Sequence, residues 1–274
     1  MKAQEVLLLT RPSRLRSANA ATALNLYSLS LSLSVKCVLV DMPKGFEALL
    51  SYYDEPSKIL ESAMRLSLLP PSQSMARAYE PIVQCLMKLL REDVRITCYV
   101  NLEAVKADYN LALRISTLTL RASIKKPSDK DLQDWLQLLE EKYYLQSKTS
   151  LEMMVNNILN CLSEIEDEMV IVLSGLEGFD IAKLLRRNNI KVTVKAYGLP
   201  YLRPPIEVMH IKYARGKLSM SELKKLIEEH VEYVRSYVLR YENLDKAHEA
   251  WSMSKAPWIK DFLSKALNTY PKFN

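Results

Sequence analysis

Glycine and histidine are scarce in this 274-residue chain, which contains five glycines and three histidines. The loop that directly follows the first predicted strand contains no glycine, so backbone amides there cannot approach a pyrophosphate as they do in a phosphate loop or a dinucleotide fingerprint. The histidines His210, His230 and His248 all fall in the predicted helical C-terminal part, and none has metal-ligand spacing. His230 lies beside the apolar stripe of its helix, which favours a packed side chain over a catalytic one.

Long apolar runs and paired cysteines are also missing. No run reaches the roughly 20 apolar residues of a membrane helix, and the N-terminus lacks the regions of a secretory signal. The sequence therefore predicts a cytoplasmic protein with no membrane partner. Neither zinc spacing nor a CxxC pair is present, so we predict free thiols, no metal site and no cofactor. The four cysteines are Cys37, Cys85, Cys98 and Cys161.

Charge is distributed unevenly along the chain, whose formal net charge is +6. Residues 1–50 and 186–274 are basic, whereas residues 51–185 carry more Asp and Glu than Lys and Arg. Basic segments attract nucleic acid, nucleotides or an acidic partner, but Lys, Arg and Glu mixed along helices also form ordinary solvated faces. Both interpretations stay open. Abundant Lys and Glu with little Gln suits a thermophile.

Strand-like and helix-like patterns alternate along the chain and predict an α/β fold. We expect a Rossmann-like, mostly parallel sheet flanked by helices, in an α/β domain of residues 1–203. A helical insertion at about 103–166 interrupts that domain, and a helical extension follows at 204–274. Ser17 is the predicted cap of a helix from Ala18, although residues 28–35 alternate with period two and also fit a strand. The predicted strands are Glu5–Thr10, Val35–Asp41, Val94–Val100, Glu168–Ser174 and Ile190–Ala196.

Arginines and hydroxyl groups follow the first predicted strand. Ligands of open α/β sheets bind beyond the carboxyl ends of the strands, so this loop belongs to the expected functional edge. Guanidinium groups beside a helix N-terminus suit a phosphate or a carboxylate. The sequence predicts an anion-binding site made of Arg11, Ser13, Arg14 and Arg16.

Carboxylates follow two other predicted strands. Asp41 ends the second strand, while Glu177 and Asp180 lie in and after the turn that closes the fourth. If these three groups converge, they suit a cation or acid and base chemistry. The alternative is local: Asp41 caps a turn, and Asp180 serves the first turn of its helix.

Tyrosines and arginines alternate in the predicted helix at 222–241. Tyr233, Tyr237 and Tyr241 recur every four residues, with Arg235 and Arg240 among them. Such a set can stack on nucleic-acid bases, but the same spacing fits ordinary packing against neighbouring helices. The packing interpretation is the simpler one.

Two parts of the chain resemble known proteins. Residues 37–50 (CVLVDMPKGFEALL), then 68–71 (LLPP), 79–81 (YEP) and the strand 94–100, resemble a bacterial family that accompanies MoxR-type ATPases and von Willebrand A-domain proteins. Residues 169–197, with SGLEG from Ser174, are similar to the closing βαβ unit of the TraB, ChaN and erythromycin-esterase-like group. The resemblance covers about half of the chain.

The resemblance also implies a missing catalytic set. Enzymatic members of the wider group carry histidines with a glutamate after the early strands and near the closing strand. This chain has Arg11, Pro12 and Ser13 in the first loop, Asp41 in place of glutamate, and Glu177 without a histidine. The resemblance therefore implies a member that has lost catalysis.

The sequence as a whole predicts a non-enzymatic, or at most cryptically active, α/β protein that binds a partner protein or an anionic ligand. Two alternatives stay open. One is a nucleotide- or RNA-binding Rossmann-like module, similar in general layout to CRISPR-linked sensors. The other is a carboxylate-based metal-dependent hydrolase that uses Asp41, Glu177 and Asp180. The oligomeric state is not predicted.

Overall fold

The protein is described by a computed structural model that covers residues 5–146, 148–165 and 168–259. All five predicted strands are present, with ends displaced by at most two residues. The strands are β1 Glu5–Thr10, β2 Cys37–Pro43, β3 Arg95–Val100, β4 Met169–Ser174 and β5 Lys191–Ala196. The helices are α1 Arg16–Ser32, α2 Phe46–Tyr52, α3 Pro56–Arg65, α4 Gln73–Arg91, α5 Leu102–Ile124, α6 Asp129–Gln146, α7 Lys148–Ser163, α8 Gly178–Arg187, α9 Pro205–Ala214, α10 Met220–Tyr233 and α11 Leu244–Lys255, with a π-helix at Val234–Val238.

The five strands form one parallel sheet in the order β3-β2-β4-β1-β5. β1 lies between β4 and β5 and pairs with both along its whole length. β2 pairs with β3 on one side and, over a shorter stretch, with β4 on the other. The predicted α/β class and parallel sheet are confirmed.

Helices cover both faces of the sheet. Side chains of a strand point alternately to opposite faces. Leu7 and Leu9 of β1 pack in one apolar cluster with residues of α1 to α4. Val6 and Leu8 pack in a second cluster with residues of α7 and α8. Burial on both faces explains why the predicted strands read as near-continuous apolar runs.

The chain divides into two compact units. Unit one contains the sheet and covers the described residues up to Ala112 together with those from Tyr144 to Leu199. Unit two is helical and covers Leu113–Tyr143 together with the described residues from Pro200 onward. Its buried residues include Trp135, Leu138, Met209, Leu223, Ile227 and Trp251. The predicted domain limits, 1–203 and 204–274, stay a prediction.

Local expectations met different outcomes. Residues 28–32 are helical, which decides against the strand interpretation of that segment. The predicted Ser17 cap is wrong, since α1 begins at Arg16 and Leu15 stands at its N-cap position. A helix predicted at 258–267 lies mostly outside the described residues. Among the described residues, no helix has the length and apolar character needed to cross a membrane.

Candidate functional site

The carboxyl ends of β1 and β4 form the point where the chain connections diverge. The chain leaves β1 into α1 on one face of the sheet, and it leaves the adjacent β4 into α8 on the other. Adjacent strands whose connections run to opposite faces open a crevice, and this is where ligands of open α/β sheets bind. The predicted functional edge therefore includes a topological switch point.

Arg11 fills this crevice from the end of β1. Its side chain is completely buried. The guanidinium group forms a bidentate pair with the Asp41 carboxylate, in which Nη1 donates to Oδ2 at 3.2 Å and Nη2 donates to Oδ1 at 3.0 Å. Nη1 also donates to the carbonyl oxygen of Ser174 at 3.0 Å, and Nε donates to Oδ1 of Asn19 at 2.6 Å. One side chain thereby joins the ends of β1, β2 and β4 to helix α1.

Electrostatics favour the charged form of Arg11. Burial alone would lower the pKa of a guanidinium group, but the charge and hydrogen bonds of Asp41 outweigh burial and raise the pKa of Arg11. The Asp41 side chain is itself only 8% exposed. A buried, paired and hydrogen-bonded arginine of this kind is a structural brace, and its donors face protein groups.

Asn19 fixes the β1–α1 loop around this brace. Its Oδ1 accepts from Arg11, and its Nδ2 donates to the carbonyl oxygens of Ser13 at 2.7 Å and Ala78 at 2.9 Å. Ala78 belongs to α4, three residues before Pro81, whose missing N–H weakens the helical hydrogen bonding of that turn. The Asn19 amide thus ties the loop to α1 and to α4.

Glu177 lies beside Asp41 in the turn after β4. Its Oε1 accepts from the Gly175 amide at 3.0 Å and lies 3.4 Å from the Ser174 hydroxyl. Desolvation of the carboxyl group and the nearby negative charge of Asp41 raise the pKa of Glu177. Because Glu177 is an exposed residue, water limits the size of this shift.

Two tyrosines complete the surroundings of the ion pair. The Tyr99 hydroxyl donates to the carbonyl oxygen of Leu173 at 2.8 Å, and burial strongly raises its pKa. The Tyr79 hydroxyl forms a hydrogen bond with Ser13, and burial raises its pKa as well. Sequence reasoning missed Asn19, Tyr79 and Tyr99, and only the position of Tyr99 near a strand end offered a signal.

Arg14 and Arg16 lie at the surface, unlike Arg11. Arg14 Nη2 is 3.9 Å from Asp108, and Arg16 Nη2 is 3.0 Å from Glu80, with both arginine side chains about half exposed. Helix α1 begins between them without a side-chain cap and without an acidic residue in its first turn. Of the predicted anion-binding residues, Arg11 is buried, Ser13 is bonded to Tyr79 and Asn19, and the other two remain accessible.

The three predicted carboxylates do not form one metal-ligand set. Within the described residues, no group of three or more His, Cys, Asp or Glu side chains is arranged to hold a metal ion. Asp180 is exposed in the first turn of α8, where a carboxylate interacts favourably with the helix dipole. Asp41 and Glu177 alone are close enough to influence each other.

The described cysteines and histidines lie elsewhere. No disulfide involves the four cysteines, and Cys37, Cys85 and Cys98 are buried, in keeping with the predicted free thiols. His230 and His248 are buried in unit two. The His230 ring lies edge-on to the Trp135 ring, with 6.1 Å between the ring centroids, and the His248 ring stacks on the Tyr201 ring, with 4.8 Å between the ring centroids. The packed interpretation of His230 agrees with this burial.

Comparison of the chain with models of protein families, with curated proteins and with solved structures finds no match.

Proposed function

We propose that this chain is a non-catalytic binding protein, and that an anionic group of its ligand binds at the start of α1, next to Arg14 and Arg16. The observation that carries the proposal is the contrast at the β1–α1 loop. Arg11 is buried and closes the switch-point crevice from inside, while Arg14 and Arg16 stand exposed beside an uncapped helix N-terminus.

The start of α1 supports an anion in two ways. The first turn of a 17-residue helix has backbone N–H groups without helical partners, and the helix dipole adds partial positive charge there. The ion pairs of Arg14 and Arg16 are exposed, so each stabilises the free protein by about 1 kcal/mol or less. A phosphate or carboxylate can therefore recruit both guanidinium groups at little cost.

The filled crevice supports a binding role over turnover. Thr10, Arg11, Asn19 and Ser174 have no exposed surface, so substrate cannot reach the switch point between β1 and β4 without rearrangement. This agrees with the resemblance to the TraB, ChaN and esterase-like group, which implies a member without the catalytic histidines. Glu177, whose pKa is raised, is the remaining candidate for acid or base chemistry. Our second proposal is therefore a cryptic enzyme that uses Glu177.

The test is a binding titration of inorganic phosphate, nucleotides and short RNAs at several salt concentrations. We expect the Arg14→Ala/Arg16→Ala variant to lose at least about tenfold in affinity, because each charge-assisted hydrogen bond contributes about 1.5 to 3 kcal/mol. For a single-stranded RNA ligand, the slope of log affinity against log salt should fall by about 1.4, or about 0.7 per lost phosphate contact.

A matched control is Lys183→Ala/Arg187→Ala, which removes the same charge from exposed positions on α8. This control should bind as the wild type does. Equal affinity of the Arg14/Arg16 variant and the wild type, or no binding of any probe, contradicts the anion site. A hydrolase screen that finds turnover in the wild type and none in Glu177→Gln would replace the non-catalytic proposal by the cryptic enzyme.

A further inference from the structure

Unit two carries a charged stripe along one face of α10 and the π-helix. A surface groove of about 450 Å³ follows this face. Four charged residues line it and define the charged stripe: Glu228, Glu232, Arg235 and Arg240. The stripe is acidic at its α10 end and basic at its π-helix end.

Helix geometry explains why these four residues share a face. Glu228 and Glu232 are four residues apart, about one α-helical turn. Arg235 lies in the π-helix, whose hydrogen bonds join residues i and i+5, and Arg240 follows in the turn after it, where its N–H donates to the carbonyl oxygen of Tyr237 at 3.0 Å. The N–H of Leu239 donates to the carbonyl oxygen of Val234 at 3.0 Å, which is a bond of the π-helical kind.

Most of this charge has no partner within the described residues. Glu228, Arg235 and Arg240 form no ion pair among residues 5–146, 148–165 and 168–259. Glu232 lies 3.4 Å from Lys255, and that pair is exposed, so it stabilises by about 1 kcal/mol or less. The stripe is thus available to an external surface of complementary charge.

An apolar groove lies beside the acidic end of the stripe. It holds about 350 Å³, and its apolar lining includes Ala122, Ile124, Pro127 and Val231, with Lys125, Lys126 and Glu228 at the same groove. Ile124 is 79% exposed, an unusual exposure for isoleucine. At the other end of the stripe, Leu239 is 74% exposed. The same unit therefore presents an apolar hole and an apolar knob, one at each end of a charged stripe.

We propose that this face binds a second copy of the chain, antiparallel to the first, about a two-fold axis that passes between Tyr233 and Val234. Glu232 then faces the partner's Arg235, and Glu228 faces the partner's Leu239 and the partner's Arg240. Two-fold symmetry repeats each contact, as in isologous dimers. Each acidic residue of the stripe meets a basic one.

The same axis brings the knob to the hole. Val231 is partly exposed and lies three residues after Glu228, so the partner's Leu239, which lies opposite Glu228, reaches the edge of the apolar groove. The reciprocal contact places Leu239 at the edge of the partner's groove. Charge and shape thus select one orientation, because a parallel pairing would set Glu228 against the partner's Glu228.

The test is sedimentation equilibrium of the full chain, with circular dichroism to confirm that each variant folds. We expect the wild type to dimerise reversibly. Glu232→Arg and Arg235→Glu should each weaken the dimer at least about tenfold, because each places like charges opposite one another twice. The double variant Glu232→Arg/Arg235→Glu restores opposite charges across the axis and should dimerise again.

An equimolar mixture of the two single variants gives the sharpest outcome. One chain then carries positive charge at both positions 232 and 235, and the other carries negative charge at both. The mixture should therefore form a heterodimer although each variant alone is weak. As a matched control, Lys225→Glu reverses an exposed charge of α10 outside the stripe and should dimerise as the wild type does. A wild type that stays monomeric, or single variants that dimerise normally, would overturn the proposal.

Discussion

Arg11 and Asp41 are the residues on which the sheet edge most depends. A buried ion pair contributes little net stability when it is intact, because desolvation of both charges offsets their attraction. Removing one member is different, since the other charge then stays buried without compensation. In this chain the pair also holds the Ser174 carbonyl oxygen and Asn19, so its loss disturbs three strand ends at once.

We therefore predict that Arg11→Met lowers the free energy of unfolding by about 3–5 kcal/mol, measured by urea denaturation. The double variant Arg11→Met/Asp41→Leu should recover a large part of this loss, because it removes both buried charges. Arg16→Ala, which breaks the exposed pair with Glu80, should cost about 1 kcal/mol or less. Equal losses for Arg11→Met and Arg16→Ala would show that Arg11 is not a brace.

At the scale of elements, α8 depends on a close approach to β1 at Gly178. A Cβ atom at this position would lie 2.7 Å from Cδ2 of Leu8 and 2.9 Å from Cβ of Thr10. The Thr10 Cβ is fixed because β1 is paired on both sides, with β4 and β5, so the start of the helix would have to move. We expect Gly178→Ala to destabilise by about 1–3 kcal/mol, as overpacking does.

Thermal or urea denaturation of Gly178→Ala checks this expectation. The neighbouring residue Phe179 is half exposed, and Phe179→Ala provides a control that should change stability by about 0.5 kcal/mol or less. If both variants are equally stable, α8 can shift away from β1 and the close approach is not required.

Elements were predictable where one local pattern dominates. Each strand is an apolar run between turn residues, so its position follows from the sequence to within two residues. The single helix predicted at 222–241 is instead divided into α10, which ends at Tyr233, and the π-helix Val234–Val238. Its four-residue repeat of Tyr233 and Tyr237 fits an α-helix, but Tyr233 packs on Trp251 and the Tyr237 hydroxyl donates to Ser254. These contacts come from distant residues, which local periodicity does not include.

The sequence predicted where in the fold the candidate site lies, but it did not predict which side chains contact one another there. That polar residues after strands meet at the carboxyl edge follows from parallel topology, and Arg11, Asp41 and Glu177 do meet there. Which arginine points inward depends on strand order, because β4 lies between β1 and β2 and brings Ser174 beside Arg11. The buried Arg11 and the exposed Arg14 are indistinguishable in sequence for this reason.

For the whole molecule, the buried histidines predict how stability changes with pH. Burial lowers the pKa of both His230 and His248 to about 4, from an ordinary value of 6.5. Below pH 6.5 the unfolded chain therefore binds protons that the folded chain excludes. The free energy of unfolding should fall as the pH decreases from about 6.5 to about 4, by up to about 1.4 kcal/mol per pH unit for each histidine.

His230→Phe isolates one of these contributions. Phenylalanine keeps a ring against Trp135 and removes Nδ1, a buried atom without a hydrogen-bond partner among the described residues. Urea denaturation between pH ~7.5 and ~4.5 measures the free energy of unfolding. At pH ~7.5 the His230→Phe variant should be at least as stable as the wild type, and the dependence of its free energy of unfolding on pH should be smaller by the equivalent of about one bound proton. His230→Phe/His248→Phe should reduce this dependence by about two protons. A single variant whose profile runs parallel to that of the wild type would mean that His230 gains its proton within the folded protein, and that the helices around Trp135 admit a charge without unfolding.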